Sequence, residues 1–256
     1  METSKPALLL SDLHLSPARP GPLAAFHAFA RGPAQDASAV YILGDLFDAW
    51  LGDDQLVEPF ANAVAASIRS IADRGVPVFF ARGNRDFLLG ERFAAATGAR
   101  LLPEQYIAAL AGTPTLLLHG DELCTDDVEY QRYRARMRTP EAARRLLSLP
   151  YFVRRLIGWY LRRRSRDANA LKAESIMDVN ADAVAHAFRR HGVARMIHGH
   201  THRPAQHTHI VDGATCRRIV LADWRDRGFY IAVDEAGVHA REIAANADAI
   251  ALSDKP

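Results

Sequence analysis

The chain is poor in cysteine. Its 256 residues hold two, Cys124 and Cys216, far apart and in no C-x-x-C pair. That excludes a disulfide-built scaffold and fits thiols kept reduced. No apolar run approaches the ~20 residues that cross a bilayer. The opening METSKPALLLSDLH runs straight into an apolar stretch, so no signal peptide is expected. The expectation is a cytosolic protein or one held at a membrane surface. Repeats and low-complexity segments are absent too. Net charge is slight, +2, so the overall balance names no partner. What remains is a chain 49% hydrophobic, enough for a substantial core. Its length fits one large domain, or a domain with an insertion.

The small net charge hides an asymmetry. Residues 130–166 carry 12 arginines, no lysine and one acid, Glu141, which leaves 20 basic and 29 acidic residues elsewhere. This stretch lies inside a helix-like segment, residues 126–179, with few strand signals. At its centre, LPYFVRRLIGWYLRRR interleaves arginines with Phe152, Trp159 and Tyr160, the pattern of a helix lying in an interface. The arginines can meet anionic headgroups while the aromatics reach the acyl boundary. Charge alone would equally suit nucleic acid.

Around that segment, short apolar runs at 7–10, 39–43, 76–80, 106–110, 115–118 and 194–197 read as strands. Helical spacing covers 23–30, 58–73 and 87–97. Strands and turns at 205–211, 216–222, 229–233 and 238–243 follow, read as antiparallel, then a tail. Alternating strands and helices with a β-rich end predict two packed sheets flanked by helices, an α/β fold.

Five blocks close the apolar runs: SDLH at Ser11–His14, GD at Gly44–Asp45, GNRD at Gly83–Asp86, HGD at His119–Asp121 and GHTH at Gly199–His202. Asp12, His14, Asp45, Asn84, His119, His200 and His202 offer oxygen and nitrogen donors suited to hard or borderline divalent ions. Seven donors exceed the need of one ion and suit two sharing a carboxylate, about 3.5–4 Å apart. Asp45, near the middle of the set in sequence, is the expected bridge. Gly199, just before His200 and His202, is expected to let the backbone bend tightly. Arg85 cannot ligate but can grip a phosphate. Asp48, Asp53 and Asp54 read as solvated loop carboxylates.

The pattern D-x-H, G-D, G-N-x-D, H-G-D, G-H-x-H resembles that of the calcineurin-like metallophosphoesterases. The longer blocks SDLHLSP, LGDLFDAWLGDD, RGNRDFLLG, HGDELCTDD, MDVN and HGHTHRPA resemble one branch of them, the UDP-2,3-diacylglucosamine diphosphatases of lipid A biosynthesis. The resemblance implies an αββα sandwich of residues 1–125 and 180–256, with residues 126–179 as a helical cap holding acyl chains and nucleotide. It assigns Asp12, His14, Asp45 and His202 to one ion, and Asp45, Asn84, His119 and His200 to the other, with manganese the expected metal. It makes Asn84, Arg85 and His200 catalytic. Together with Asp127, Ser165, Asn169 and Lys172, the same three are the implied substrate contacts. The implied reaction is hydrolysis of UDP-2,3-diacylglucosamine to UMP and 2,3-diacylglucosamine 1-phosphate, with attack on the phosphorus attached to uridine. The implied place is the cytoplasmic face of the inner membrane, held peripherally, with no nucleic acid and no obligate protein partner.

One departure bears on the reaction. Many superfamily monoesterases carry histidine after the G-N pair, as acid for the leaving alkoxide, where this chain has Arg85. A phosphate leaving group needs no such proton, so the substitution favours phosphoanhydride cleavage. A phosphoesterase for cyclic nucleotides, dinucleoside polyphosphates or nucleic acid would keep the same donors. A non-catalytic module would be expected to have lost some.

Overall fold

A computed structural model describes residues 5–171 and 178–244. Its strands are β1 (Ala7–Leu10), β2 (Ala39–Leu43), β3 (Val78–Ala81), β4 (Arg100–Leu101), β5 (Gln105–Leu110), β6 (Thr113–Leu118), β7 (Arg195–His198), β8 (Ala205–Val211), β9 (Ala214–Val220), β10 (Gly228–Asp234) and β11 (Gly237–Ile243). Its α-helices are α1 (Pro20–Arg31), α2 (Pro59–Asp73), α3 (Glu91–Thr97), α4 (Val128–Met137), α5 (Pro140–Leu147), α6 (Tyr151–Leu171) and α7 (Ala181–His191).

The strands form two sheets, ordered β11-β10-β1-β2-β3-β4 and β5-β6-β7-β9-β8. Alternation along the central strands explains their wholly apolar runs. Ala7 and Leu9 of β1, with Tyr41 and Leu43 of β2, face Leu117, Ile197 and Ile219 of the other sheet. Leu8, Leu10, Val40 and Ile42 turn the opposite way, onto Phe26 and Phe29 of α1 and Val64 and Ile68 of α2. Beyond the second sheet, Leu116, Leu118 and Met196 pack on Val184, Ala187 and Phe188 of α7. The order of layers is therefore helix, sheet, sheet, helix.

The β-rich end divides between the two sheets. β10 joins β1 antiparallel, while β9 joins β7 in parallel and β8 in antiparallel. The second of these pairings differs from the all-antiparallel reading. The β8–β9 connection is Asp212-Gly213 with both φ positive, the two-residue turn whose twist suits a hairpin. Helix α7 was not anticipated, although Asn180 accepts from the amides of Asp182 and Ala183 at its start and Gly192 closes it in a left-handed conformation. Both signals stand in the sequence.

Helix α3 begins at Glu91 rather than 87. The carboxylate of Asp53 accepts from the Gly90 and Phe93 amides at 2.9 and 3.0 Å, capping the helix from a distant loop. Asp54 grips Arg154 of α6. Neither aspartate is the solvated loop carboxylate the sequence implied, because each satisfies a donor brought from elsewhere in the chain.

Residues 128–171 fold as α4, α5 and α6. Their arginines are not all left to solvent. Arg134 and Arg138 pair with Asp121 and Glu104, and the side chain of Arg154 is 5% exposed against Asp54. The acidic counterweight missing from the segment is supplied by the core. On α6, Arg154 and Gly158 face that core, where Gly158 lies against Leu51. Phe152, Leu156, Trp159 and Tyr160 lie on the far side and are 67%, 64%, 52% and 57% exposed. No helix among the described residues is long and apolar enough to cross a membrane. Cys124 and Cys216 are buried and not joined.

Candidate metal centre

β1, β2 and β3 run parallel, as do β6 and β7, so their carboxyl ends gather on one edge of the sandwich, where open α/β sheets place their sites. The loops after these strands are tied together. Asp12 N donates to Gly44 O (3.1 Å), His14 N to Asp45 O (3.0 Å) and Gly199 N to His119 O (2.9 Å). His119 crosses between sheets, its Nδ1 bonded to Leu43 O at 2.9 Å.

Two glycines permit this crowding. A Cβ on Gly44, where φ is +88°, would meet Gly83 N at 2.6 Å and His119 Nδ1 at 2.7 Å. A Cβ on Gly199 would collide with Asp12 and Ser11. The need at Gly199 is close approach rather than the bend the sequence implied.

The backbone is strained where the donors sit. Among the described residues seven non-glycine residues have positive φ, and Asp12, His14, Asp45, His200 and His202 are five of them. Each such residue costs on the order of 1 kcal/mol, and strain of this kind gathers at functional sites.

The side chains converge. One oxygen or nitrogen from each of Asp12, His14 and His202 lies within 4.8 Å of the others, as does one from each of Asp12, Asp45 and His119. The Nε2 atoms of His14 and His202 are 3.2 Å apart, close to the separation of two nitrogens bound about 2.1 Å from one ion. Asp45 turns one oxygen toward His14 (3.8 Å) and the other toward His119 (3.7 Å). Asn84 Oδ1 stands 3.0 Å from both His119 Nε2 and His200 Nδ1. With acceptors only on Asp12 and Asp45 and imidazoles around them, the set fits divalent cations.

An outer layer holds the donors in place. The Ser11 hydroxyl and the His200 amide donate to Asp12 Oδ2 at 2.7 and 2.8 Å. The Arg85 amide donates to Asp45 Oδ1 at 2.8 Å. Asp86, wholly buried, accepts from the Gly83, Asp45 and Leu46 amides at 2.8, 3.3 and 2.8 Å. Burial and the neighbouring Asp45 push its carboxyl up to about 6. Asp223 faces His202 Nδ1 at 3.8 Å.

Electrostatics divide the histidines. Burial works against charge on His119, but Asp45, Asp12 and Asp121 outweigh it and raise the group to about 9. Burial, joined by the positive neighbours His119 and His202, lowers His200 to about 4. His14 is also lowered to about 4, mainly by burial. Asp12 is buried too, yet the hydrogen bond to His202 and the surrounding imidazoles hold it below the usual carboxylate range.

Of the expected substrate contacts, Arg85 is half-buried beside Asp45. Asp127 caps α4, accepting from the Tyr130 amide at 3.1 Å. Ser165 and Asn169 fall on α6, with side chains outside the described structure, and Lys172 lies outside the described residues. Sequence reasoning missed Tyr130, which stacks on His200. Asp86 and Asp121, inside the GNRD and HGD blocks, are fully buried anchors, which the sequence alone does not distinguish. Their only signal was their place beside a donor.

Two sheets between helices, with acid and imidazole donors gathered at the strand ends, define a metallophosphoesterase. Residues 5–204 match the calcineurin-like phosphoesterase model, and the chain belongs to that family. It is 47% identical over 240 residues to a UDP-2,3-diacylglucosamine hydrolase of Edwardsiella ictaluri, covering 93% of this chain and 92% of that protein. It is 48% identical over 231 residues to one from Aromatoleum aromaticum, covering 90% and 94%. A dimetal phosphatase from Danio rerio shares the fold, with a TM-score of 0.52 at 13% identity over 96% and 98% of the two chains.

Proposed function

We propose that this protein hydrolyses the pyrophosphate of UDP-2,3-diacylglucosamine, releasing UMP and 2,3-diacylglucosamine 1-phosphate for lipid A synthesis. The likeness to relatives of that name, at 47% identity along nearly the whole of both chains, carries the substrate. The converging donors support the reaction type.

In this reading Asp12, His14, Asp45 and His202 hold one divalent ion and Asp45, Asn84, His119 and His200 the other, with manganese the preferred metal. Bound ions supply positive charge that acidifies water and offsets the phosphoryl oxygens. The chain's own groups do the rest. Arg85 sits beside Asp45, where its guanidinium can grip a phosphoryl group as attack at the uridine-bound phosphorus proceeds. The leaving group is a phosphate monoester, a weak base that departs without a proton, so no histidine acid is needed where Arg85 stands. His200, held neutral, offers an uncharged imidazole, with its Nδ1 3.0 Å from the Asn84 amide oxygen that would share the ion.

Residues 126–179 act as the cap, with Asp127, Ser165, Asn169 and Lys172 as contacts along the substrate. The exposed Phe152, Leu156, Trp159 and Tyr160 meet acyl chains or the membrane surface. The protein works from the cytoplasmic face of the inner membrane, attached peripherally.

The test is UMP release from UDP-2,3-diacylglucosamine in detergent micelles, with manganese and with chelator, for wild type and Asn84→Ala. Manganese-dependent release that collapses in the variant supports the reading. Turnover of bis(p-nitrophenyl) phosphate without UMP release keeps the phosphoesterase and discards the lipid nucleotide.

A further inference from the structure

The donor cluster has two sides. On one, Tyr130 of α4 stacks over His200, at 6.1 Å between ring centroids. On the other, His202 forms part of the wall of a cavity of about 740 Å³ between the open ends of the two sheets. Small-molecule sites span roughly 300–1,000 Å³. The floor is apolar: Ile219 and Leu221 come from the second sheet and its following loop, Ile231 from β10. Phe229, two residues before Ile231, comes from the same strand. Arg225, Arg227 and Arg241 stand around the groove, where Arg225 pairs with Asp223 and Arg227 with Glu242.

We propose that this groove, and not the cap, takes the uridine half of the substrate. The inference rests on the substrate reading above. A pyrophosphate at the donors must send its two substituents in different directions. The acyl half needs a broad apolar surface, which α6 presents in Phe152, Leu156 and Trp159. Uridine needs a flat aromatic or aliphatic wall for its base and donors for its two carbonyls. Phe229 with the isoleucine floor supplies the first, and the guanidinium groups the second. His202, shared by donors and groove, places the nucleotide phosphate where the two meet.

Ala240 faces Ile231 across the β10–β11 pair, is exposed, and also lines the groove, so Ala240→Trp would fill it without touching a donor. Binding of UMP to the manganese-loaded protein is measured by calorimetry, and its footprint on the zinc-loaded protein, whose ion is diamagnetic, by NMR shifts of isoleucine and leucine methyls. Expected are shifts at Ile219, Leu221 and Ile231, with affinity reduced about tenfold or more in Ala240→Trp, the loss of one well-made contact. Hydrolysis of the lipid nucleotide should show a raised KM with kcat little changed, while bis(p-nitrophenyl) phosphate turnover stays at the wild-type level. UMP shifts confined to cap residues such as Leu147 and Leu156 would overturn the proposal, as would unchanged UMP affinity in a folded Ala240→Trp. Failure of wild type to cleave the lipid nucleotide would instead strike the substrate reading, and the UMP footprint would still judge the groove.

Discussion

The Tyr130 ring lies over the His200 imidazole at an interplanar angle of 26°, and its hydroxyl donates to Asp121 Oδ2 at 2.6 Å. The same oxygen accepts from Arg134 (3.0 Å) and Arg138 (2.8 Å). Helix α4 is thereby fastened to the loop that carries His119 and to a face of the donor cluster. Tyr130→Phe keeps the ring and deletes one bond to a buried carboxylate. It should cost about 1.5–3 kcal/mol, the range for hydrogen bonds to charged groups, read from the urea midpoint. Metal affinity should stay near that of wild type. Tyr130→Ala also removes the ring from His200 and should weaken metal binding as well. Equal metal affinity in all three proteins would deny the stacking contact any part in holding His200.

Metal binding should release a proton. In the metal-free site His119 is raised to about 9, so below that pH it is protonated and must lose its proton to act as a donor. Affinity should therefore climb as pH rises toward about 9. Calorimetry in buffers of different ionisation enthalpy should find about one proton released per chain near pH 7.5. Asp45→Asn should lower proton release, because it removes the first of the charges that raise His119. Manganese at a hundredfold excess over its dissociation constant should add about 2.7 kcal/mol of stability per site, and chelator should remove it.

The donor set was legible because each member follows a strand and sits in a short block. The end of the apolar run gave the strand and the block gave the chemistry. The layered fold followed from the same alternation of strand and helix. Less legible was everything that depends on which distant residues meet. Asp53 and Asp54 look like loop acids until their partners, the α3 amides and Arg154, arrive from elsewhere. The start of α3 moved for the same reason. The arginine-rich stretch looked unbalanced because Asp121, Glu104 and Asp54 lie outside it. The split of the last four strands between two sheets is set by packing between layers, which no local pattern encodes. Helix α7 is different, since its Asn180 and Gly192 caps were there to be read.

Arg154 should be costly to unpair. Its guanidinium reaches Leu51 O and both oxygens of Asp54. Breaking a buried ion pair costs about 3–5 kcal/mol. Asp54 is 38% exposed, so Asp54→Asn should cost less, about 2 kcal/mol, after screening. Adding Arg154→Met to that variant should recover part of the loss, because an apolar side chain no longer needs a counter-charge. Hydrogen exchange along α6 should quicken in Asp54→Asn alone. A double variant less stable than Asp54→Asn would show that Arg154 serves through its bonds to Leu51 O and Leu149 O rather than through charge.

The exposed side of α6 should matter to lipid substrate and to little else. Phe152, Leu156 and Trp159 recur at the spacing of one helix face, opposite the Arg154–Gly158 side that meets the core, and Arg163 lies over the Trp159 ring at 5.8 Å. Surface substitutions here should move stability by no more than about 0.5 kcal/mol each. Burying each apolar side chain in lipid is worth about 1.5–3 kcal/mol. The triple variant Phe152→Ser, Leu156→Ser and Trp159→Ser should therefore fold normally and keep its turnover of bis(p-nitrophenyl) phosphate. Its kcat/KM on micellar UDP-2,3-diacylglucosamine should fall by at least about tenfold, the equivalent of one such contact. In wild type, Trp159 emission should shift to the blue on anionic vesicles, and less so at high salt, since the neighbouring arginines contribute screened attraction. A triple variant with full micellar activity would remove this face from both membrane and acyl-chain contact, and would leave the inner surface of the cap to hold the chains alone.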